Sequence, residues 1–483
     1  MKCFGDILLV SCYELGHQPL GVAWPFAFLK RAGYRPDAMD LSVEALNVDK
    51  VKKAKLIGIS VPMHTALRIG KSLASRIREI NPGCHISFYG LYASLNGKML
   101  LKQSADSVIG GEYEAPLLSL VISLDTNGSI SIPGVRTQTH RSEPLLAHLS
   151  FPIPDRNRLP PLTRYARLLE GRHERPVGYV EASRGCRHLC RHCPIPPVYG
   201  GRFFILPQDI VMSDIRNLVD MGARHITFGD PDFLNGPVHS LRIARALHQA
   251  YPTVTFDFTA KVEHLIRNRN LLPEMASLGC LFVVSAVESM NENVLKHLAK
   301  QHTRDDVIRV LRLVSAAGMA FRPSLVPFTP WTTLDDLLDL FETVESEGMI
   351  HHVDPVQYTI RLLIPPGSLL LSDRTVISCL GHLDPGAITY RWKHPDPRID
   401  PLQEAFSGVV EQHIERGIDA ETTFYQLKEH AFAVHDGRRP IDIHIPYQRI
   451  EKPVPRLSEP WFCCAEPTDH QMRSLDATDC DHP

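Results

Sequence analysis

The sequence predicts an α/β protein: an N-terminal doubly wound parallel sheet, then a partial (β/α)6 barrel, then a mainly helical C-terminal extension. Three observations predict it. Short, nearly uninterrupted apolar runs alternate with helix-spaced stretches at the start of the chain, the alternation resumes after a proline-rich gap, and it gives way to long helical spacing past Pro366. Strands that are apolar throughout belong to parallel sheets covered by helices on both faces.

Asp6–Cys12 is the first apolar run, and Leu20–Ala32 follows it at helical spacing. Leu56–Val61 reads as a second buried strand, Ala66–Ile80 as an amphipathic helix with basic residues on one face, and His85–Tyr89 and Ala105–Ile109 as two further strands. These define a first domain over residues 1–135, whose ligands would sit beyond the carboxyl ends of its strands. Residues 136–175, with Pro152, Pro154, Pro160 and Pro161 among scattered Arg and His, read as a surface linker. Over residues 176–366, Gly178–Ala182, His225–Phe228, Thr253–Thr259, Phe282–Ser285, Phe321–Leu325 and Val356–Leu362 are six strands with helices such as Gln208–Met221 between them. Barrels of this kind place their chemistry at the carboxyl ends of the strands. Residues 367–483 form an extension, helical over Leu402–Val434, that runs into a tail containing Trp461-Phe462-Cys463-Cys464-Ala465-Glu466-Pro467.

At 483 residues, 44% hydrophobic and 22% charged, the chain has material for two or three globular domains. A formal net charge of −2 gives no broad electrostatic case for nucleic acid or an anionic membrane. The apolar stretch after Met1 is too short and too soon interrupted for a signal peptide, and no segment reaches the length of a membrane span. Eleven cysteines without a leader point to a reducing, cytoplasmic setting in which thiols serve metals rather than disulfides.

Cys186, Cys190 and Cys193 form a Cys-x3-Cys-x2-Cys run on a loop opened by Gly185 and closed by Pro194. Three thiolates this close can converge on one soft metal centre. A mononuclear zinc site usually takes four protein ligands, which His188 and His192 would have to complete. Three cysteines alone suit a 4Fe-4S cluster with one iron left unligated by protein. No further cysteine follows before Cys280. This spacing in its context resembles the radical SAM superfamily, with His192 where an aromatic usually precedes the third cysteine. The resemblance implies a 4Fe-4S cluster that binds S-adenosyl-L-methionine (SAM) through the amine and carboxylate of its methionine part. It also implies an electron donor such as flavodoxin or ferredoxin.

Gly229-Asp230-Pro231-Asp232-Phe233 follows the second barrel strand, 36 residues after Cys193. In radical SAM proteins this position holds the methionine amine; as a bare sequence it is a turn. Ser285-Ala286-Val287-Glu288-Ser289 ends the fourth strand, and the resemblance places Glu288, with Ser289 beside it, near the ribose hydroxyls. Ser289 could equally cap the helix that follows. Lys261, Glu263 and Arg361 are expected at strand ends facing the mouth, while Arg202 carries no assigned role. The first domain resembles the cobalamin-binding domain that precedes many radical SAM barrels, through Pro19-Leu20-Gly21, Gly58-Ile59-Ser60, Tyr89-Gly90 and Gly110-Gly111-Glu112. It lacks an Asp-x-His-x-x-Gly element for a lower axial histidine.

Adjacent Cys463 and Cys464 can reach one thiophilic atom together. Cys-Cys-Ala-Glu-Pro resembles a small radical SAM family defined by this tail, some members of which carry selenocysteine at the second position. The reading is a radical SAM transferase that moves a methyl or 3-amino-3-carboxypropyl group to a small molecule, or abstracts hydrogen from it. Its substrate could be a thiophilic element such as trivalent arsenic held by Cys463 and Cys464. A tRNA-modifying radical SAM enzyme and a non-catalytic iron-sulfur or metalloid-binding protein are the alternatives.

Overall fold

The computed structural model describes residues 1–443 and 454–459. The first sheet contains β1 (Ile7–Ser11), β2 (Asp37–Asp40), β3 (Leu56–Ser60), β4 (His85–Tyr89), β5 (Ser107–Ile109) and β6 (Val135–Arg136). Its order is β2-β1-β3-β4-β5-β6, parallel except for β6 at the edge. Every residue of β1 and β3 is buried, because helices cover both faces. Leu20–Arg31 and Glu114–Asp125 pack on one side through Val22, Phe26, Leu117 and Leu120, and His64–Ile80 packs on the other through Leu67, Leu73 and Ile77. The strand order turns at β1 and β3, so their carboxyl ends open the crevice expected of a doubly wound sheet.

The second sheet begins inside the stretch expected to be linker. β7 (Arg167–Glu170) pairs antiparallel with β8 (His173–Val180) across a two-residue turn, in which Gly171 has a φ of 60°. That is the hairpin geometry a glycine permits and most residues resist. Beyond it come β9 (Ser183–Gly185), β10 (Phe203–Ile205), β11 (His225–Phe228), β12 (Thr255–Thr259), β13 (Cys280–Glu288) and β14 (Ala320–Leu325). β15 (Leu380–Asp384), β16 (Thr389–Trp392) and β17 (Arg456–Leu457) complete the strands. The curled sheet runs β14-β13-β12-β11-β8-β7-β17, and the five strands from β14 to β8 are parallel. The expected sixth parallel strand, Val356–Leu362, forms only a single bridge, between Phe328 and Arg361. Pro355 lacks the N–H a ladder needs and starts a 3-10 turn through Thr359 instead. Gln357 partly substitutes, its Oε1 accepting the Leu325 N–H at 3.0 Å.

The expected Leu402–Val434 helical stretch is two helices, Ile399–Glu415 and Ala420–His435. Gly417 at a φ of 65° ends the first, and Asp419 caps the second by accepting from Thr422 N. The extension also reaches back to the first sheet: Ile388, in the β15–β16 turn, is buried in that sheet's core. Leu20 and Trp24 of the first helix lie in the barrel's core cluster, so the two sheets share packing. Arg156 pins them together. Its guanidinium donates to Asp214 Oδ1 and Oδ2 at 2.9 and 2.8 Å, to Tyr179 O at 2.7 Å and to Gln18 Oε1 at 3.2 Å. Among the described residues no helix is long and apolar enough to cross a membrane.

Candidate functional site

The carboxyl ends of both sheets face one cavity of about 350 Å³. Pro62, Met63 and Tyr92 bring apolar surface from the first sheet, and Tyr179, Thr227 and Lys261 line the barrel side. This is where each topology places ligands, and the sequence had put both candidate cofactors there.

Cys186, Cys190 and Cys193 line the wall of this cavity. The loop that carries them leaves β9, which is clamped by β10 in an antiparallel pair. Gly185 is required at the exit: its φ is 75°, and a Cβ there would lie 2.4 Å from Arg202 O. Arg191 N donates to Leu298 O at 3.0 Å and Cys193 N to Cys190 O at 3.2 Å, which fixes the loop against the barrel. None of the three is in a disulfide, Cys186 and Cys190 are buried, and Asn235 Nδ2 lies 3.6 Å from Cys186 Sγ. Cys280 sits at the opposite end of β13 from Glu288, too far to be a fourth ligand. His188 and His192 are engaged elsewhere. His188 Nε2 meets Asp232 Oδ2 at 3.1 Å, and His192 Nε2 meets Glu288 Oε1 at 3.2 Å. With the Nε2 of each histidine bonded to a carboxylate, the three thiols are a donor set that fits a 4Fe-4S cluster better than zinc.

Of the residues expected around SAM, Gly229, Asp230, Pro231 and Glu288 line the same cavity, whereas Asp232 and Ser289 stand behind it. Gly229 lines the cavity, and a Cβ on it would collide with Tyr179 at 2.2 Å. Asp230 turns its carboxyl to Ala182 N at 3.0 Å and to the Ser183 hydroxyl, tying β11 to the start of the cluster loop. Burial pushes Asp230 up to about 7. Asp232 is fully buried and accepts from Leu234 N at 2.9 Å and Lys261 N at 3.3 Å, with His188 and His264 closing on its Oδ2. Burial raises its pKa, and the two imidazoles outweigh burial and lower it. Pro231 lines the cavity beside them. Glu288 Oε1 takes both His192 Nε2 and Lys300 Nζ, each at 3.2 Å. Burial opposes its ionisation, yet the Lys300 ammonium prevails and holds Glu288 near 2. Ser289 is not the helix cap: Asn291 is, accepting from Asn293 N and Val294 N, while Ser289 Oγ accepts from Asn291 N at 3.1 Å.

Of the basic and acidic groups expected at the mouth, only Lys261 is there, with its Nζ 3.3 Å from His188 Nδ1. Glu263 is not in the cavity lining; its Oε1 pairs with Arg267 at 2.6 Å and its Oε2 lies 4.0 Å from Lys261 Nζ. Arg361 bonds Asp400 at 2.6 Å and stacks 3.6 Å from the Trp392 ring, so it supports the extension. Cys463 and Cys464 lie outside the described residues.

Of the glycines noted in the first domain, Gly90 and Gly111 line the cavity, while close packing requires glycine at several positions. A Cβ on Gly21 would lie 2.3 Å from Ser60 Oγ, one on Gly58 3.1 Å from Tyr89, and one on Gly111 2.1 Å from Leu145 O. The crevice itself is walled by Leu15, Pro62, Met63, Leu91 and Tyr92. These apolar walls at a switch point fit the face of a large planar cofactor.

Sequence reading missed a group of buried carboxylates on the cavity's other flank. Glu14 accepts from Leu20 N at 2.9 Å and Gly21 N at 3.2 Å, and burial with Glu181 nearby pushes it up to about 8. Arg184 serves Glu112 at 3.2 Å, Glu114 at 2.5 Å and Glu181 at 2.9 Å, with its guanidinium over Phe151, Tyr113 and Trp24. His17 stacks on Tyr179 at 4.5 Å. Lone Glu and His residues in apolar surroundings carry no spacing signal. Only the position of Glu14 just past a strand end pointed to it.

Residues 180–344 match the family model described as the Radical SAM superfamily. A tRNA-2-methylthio-N(6)-dimethylallyladenosine synthase from Shewanella baltica is 22% identical over 293 residues, covering 57% of this chain. The chain spans 56% of the length of that relative. Among solved structures, the cobalamin-dependent S-adenosylmethionine radical enzyme OxsB with aqua-cobalamin bound superposes with a TM-score of 0.67 at 17% identity. It covers 88% of this chain and 72% of its own. The radical S-adenosylmethionine methyltransferase TsrM from Kitasatospora setae, with cobalamin and a 4Fe-4S cluster bound, gives 0.59 at 15% identity, covering 72% and 71%. At these identities the likeness is one of fold.

Proposed function

This chain carries a radical SAM domain, and on that premise we propose that it is an enzyme that cleaves SAM reductively and transfers a methyl group to a small molecule. The observation that carries the proposal is one cavity lined both by the three loop cysteines and by the switch-point crevice of the first sheet. When bound, a 4Fe-4S cluster supplies the electron that breaks a carbon–sulfur bond of SAM, and a corrinoid supplies a methyl carrier.

The chain's own residues bind, orient and exclude water. Cys186, Cys190 and Cys193 hold the cluster. Gly229 and its neighbours at the end of β11 offer carbonyl acceptors for the methionine ammonium. Asp230 keeps that strand end registered with the cluster loop through Ala182 and Ser183. Glu288, kept ionised by Lys300, accepts from the ribose diol. Met63, Leu91 and Tyr92 take the face of the corrinoid and keep the cavity dry. Cys463 and Cys464, which follow the cavity-lining Glu459 by four and five residues in the sequence, would act on the substrate.

The test is mass spectrometry of SAM-derived products from anaerobically reconstituted, reduced protein, with and without cobalamin. Formation of 5′-deoxyadenosine or S-adenosylhomocysteine, with the latter dependent on cobalamin, supports the reading. No SAM-derived product from cluster-loaded protein overturns it. Because the Shewanella baltica relative acts in tRNA modification by its name, bulk tRNA belongs among the acceptors; labelled tRNA would replace the small-molecule reading.

A further inference from the structure

The outer side of the cluster loop carries a surface that the cavity does not use. Leu189, Ile205 and Val238 are 58%, 48% and 71% exposed, yet they come from three separate segments. They belong to one face. A Cβ on Gly201 would sit 3.6 Å from both Leu189 Cδ2 and Arg187 O, and one on Gly236 would sit 3.0 Å from Phe203 Cζ and 3.8 Å from Ile205 Cγ2. The Arg187 guanidinium lies 5.0 Å from the Phe203 ring centroid, Arg187 N donates to Asn235 Oδ1 at 3.3 Å, and Val238 follows two residues after Gly236. Single exposed aliphatic residues are ordinary, but a cluster of them marks an interaction site.

The rim is basic. Within four residues of the three aliphatic tips, the exposed charged side chains are Arg187, Arg202 and Arg242 against one acid, Asp209. The face also adjoins the thiols: Leu189 immediately precedes Cys190, and Asn235, which binds Arg187 N, reaches Cys186 Sγ at 3.6 Å. A cluster that spends one electron per SAM must regain one, and its cavity side is committed to SAM and substrate.

We propose that the Leu189–Ile205–Val238 face docks an acidic, flavin-bearing one-electron carrier protein, an inference that rests on the cluster reading above. One electron leaves the carrier's reduced centre and enters the cluster held by Cys186, Cys190 and Cys193; no bond of the chain forms or breaks. A small apolar patch ringed by charge suits a transient encounter, since electron-transfer interfaces bury little area and depend on steering.

The test follows cluster reduction by stopped-flow absorbance in the reconstituted full chain, with a bacterial flavodoxin in its hydroquinone form as the probe. The Arg202→Glu/Arg242→Glu double variant and a separate Val238→Asp variant are compared with the parent. Flavodoxin-driven reduction should fall about tenfold or more in the double variant, the scale that charge complementarity lends to association rates. Raised salt should slow the parent and leave the double variant little changed. Reduction by dithionite and SAM binding should match the parent in every case. Unchanged flavodoxin-driven rates in both variants overturn the proposal, and so does an equal loss with dithionite, which would show a disturbed loop. A parent that assembles no cluster would instead remove the premise.

Discussion

Glu288 and Lys300 form an ion pair 3.2 Å long in which the side chains are 8% and 2% exposed. Glu288 closes β13 at a φ of 68°, where the register with β14 slips between Ala286 and Glu288. A non-glycine residue in the left-handed region costs backbone energy and persists only where its surroundings hold it. Here they do: Glu288 O accepts Val326 N at 2.8 Å, and His192 and Lys300 hold the carboxylate.

Lys300→Met should therefore destabilise the protein although no ligand contact is removed. Breaking one side of a buried pair leaves an uncompensated charge, at a cost of about 3–5 kcal/mol. Differential scanning fluorimetry should show a clear fall in the apparent midpoint, with the iron content after reconstitution unchanged. An unaltered midpoint would mean that Glu288 is carried by His192 alone.

Glu288→Ala should weaken SAM binding and leave the cluster intact. Loss of a charged hydrogen-bond partner costs about 1.5–3 kcal/mol, or roughly tenfold or more in affinity. Because the alanine also strands Lys300, Glu288→Gln is the sharper comparison: it keeps the shape and should still lose most of the affinity. Equal SAM titrations for parent and both variants would reduce Glu288 to a structural residue.

What could be read from the sequence followed from periodic or spaced signals. Segments such as Leu56–Ser60 and His225–Phe228 are mostly apolar and buried throughout because both sheet faces are covered, so the strands stood out. The three cysteines were legible because the chain brings them together locally. Groups assembled from distant segments were not. Arg184 meets Glu112 and Glu114 across some seventy residues, and its neighbour Glu181 has no spacing relation to them. Arg361 was misplaced at the mouth because Pro355 replaces the sixth strand with a turn, which frees Arg361 to pair with Asp400.

The buried carboxylates of the cavity make stability depend on pH. Glu14 is pushed up to about 8 from an ordinary value of 4.5, mainly by burial. Between those pH values the folded chain holds a proton that the unfolded chain has released. Stability therefore falls as pH rises across that window, by at most ~1.4 kcal/mol per pH unit, and levels off above it. Glu14→Gln removes this penalty. Its gain over the parent should be small near pH 5 and largest above pH 8 in denaturant titrations. A gain independent of pH, or one that shrinks as pH rises, would refute the assignment.

The tail dithiol can be tested by reach. β17 adds Arg456–Leu457 to the edge strand β7, and Glu459 then enters the cavity wall, where it accepts from the Tyr13 hydroxyl and packs within 2.9 Å of where a Cβ on Gly16 would lie. Cys463 follows four residues later. A chain covers at most about 3.6 Å per residue, so the Cα of Cys463 is within ~14 Å of that of Glu459. A short thiol–thiol crosslinker should then join Cys463 or Cys464 to a cysteine introduced at Leu15, which lines the cavity, far better than to one introduced at the distal, exposed Ile414. Glu459→Arg should lower that yield by loosening the anchor. On the proposed assignment of the cluster to Cys186, Cys190 and Cys193, the Cys463→Ser/Cys464→Ser variant should keep its full iron content and SAM affinity, while methyl transfer to substrate is lost. Equal crosslinking at both positions, or unimpaired transfer by the double serine variant, would leave the dithiol without a part in the reaction.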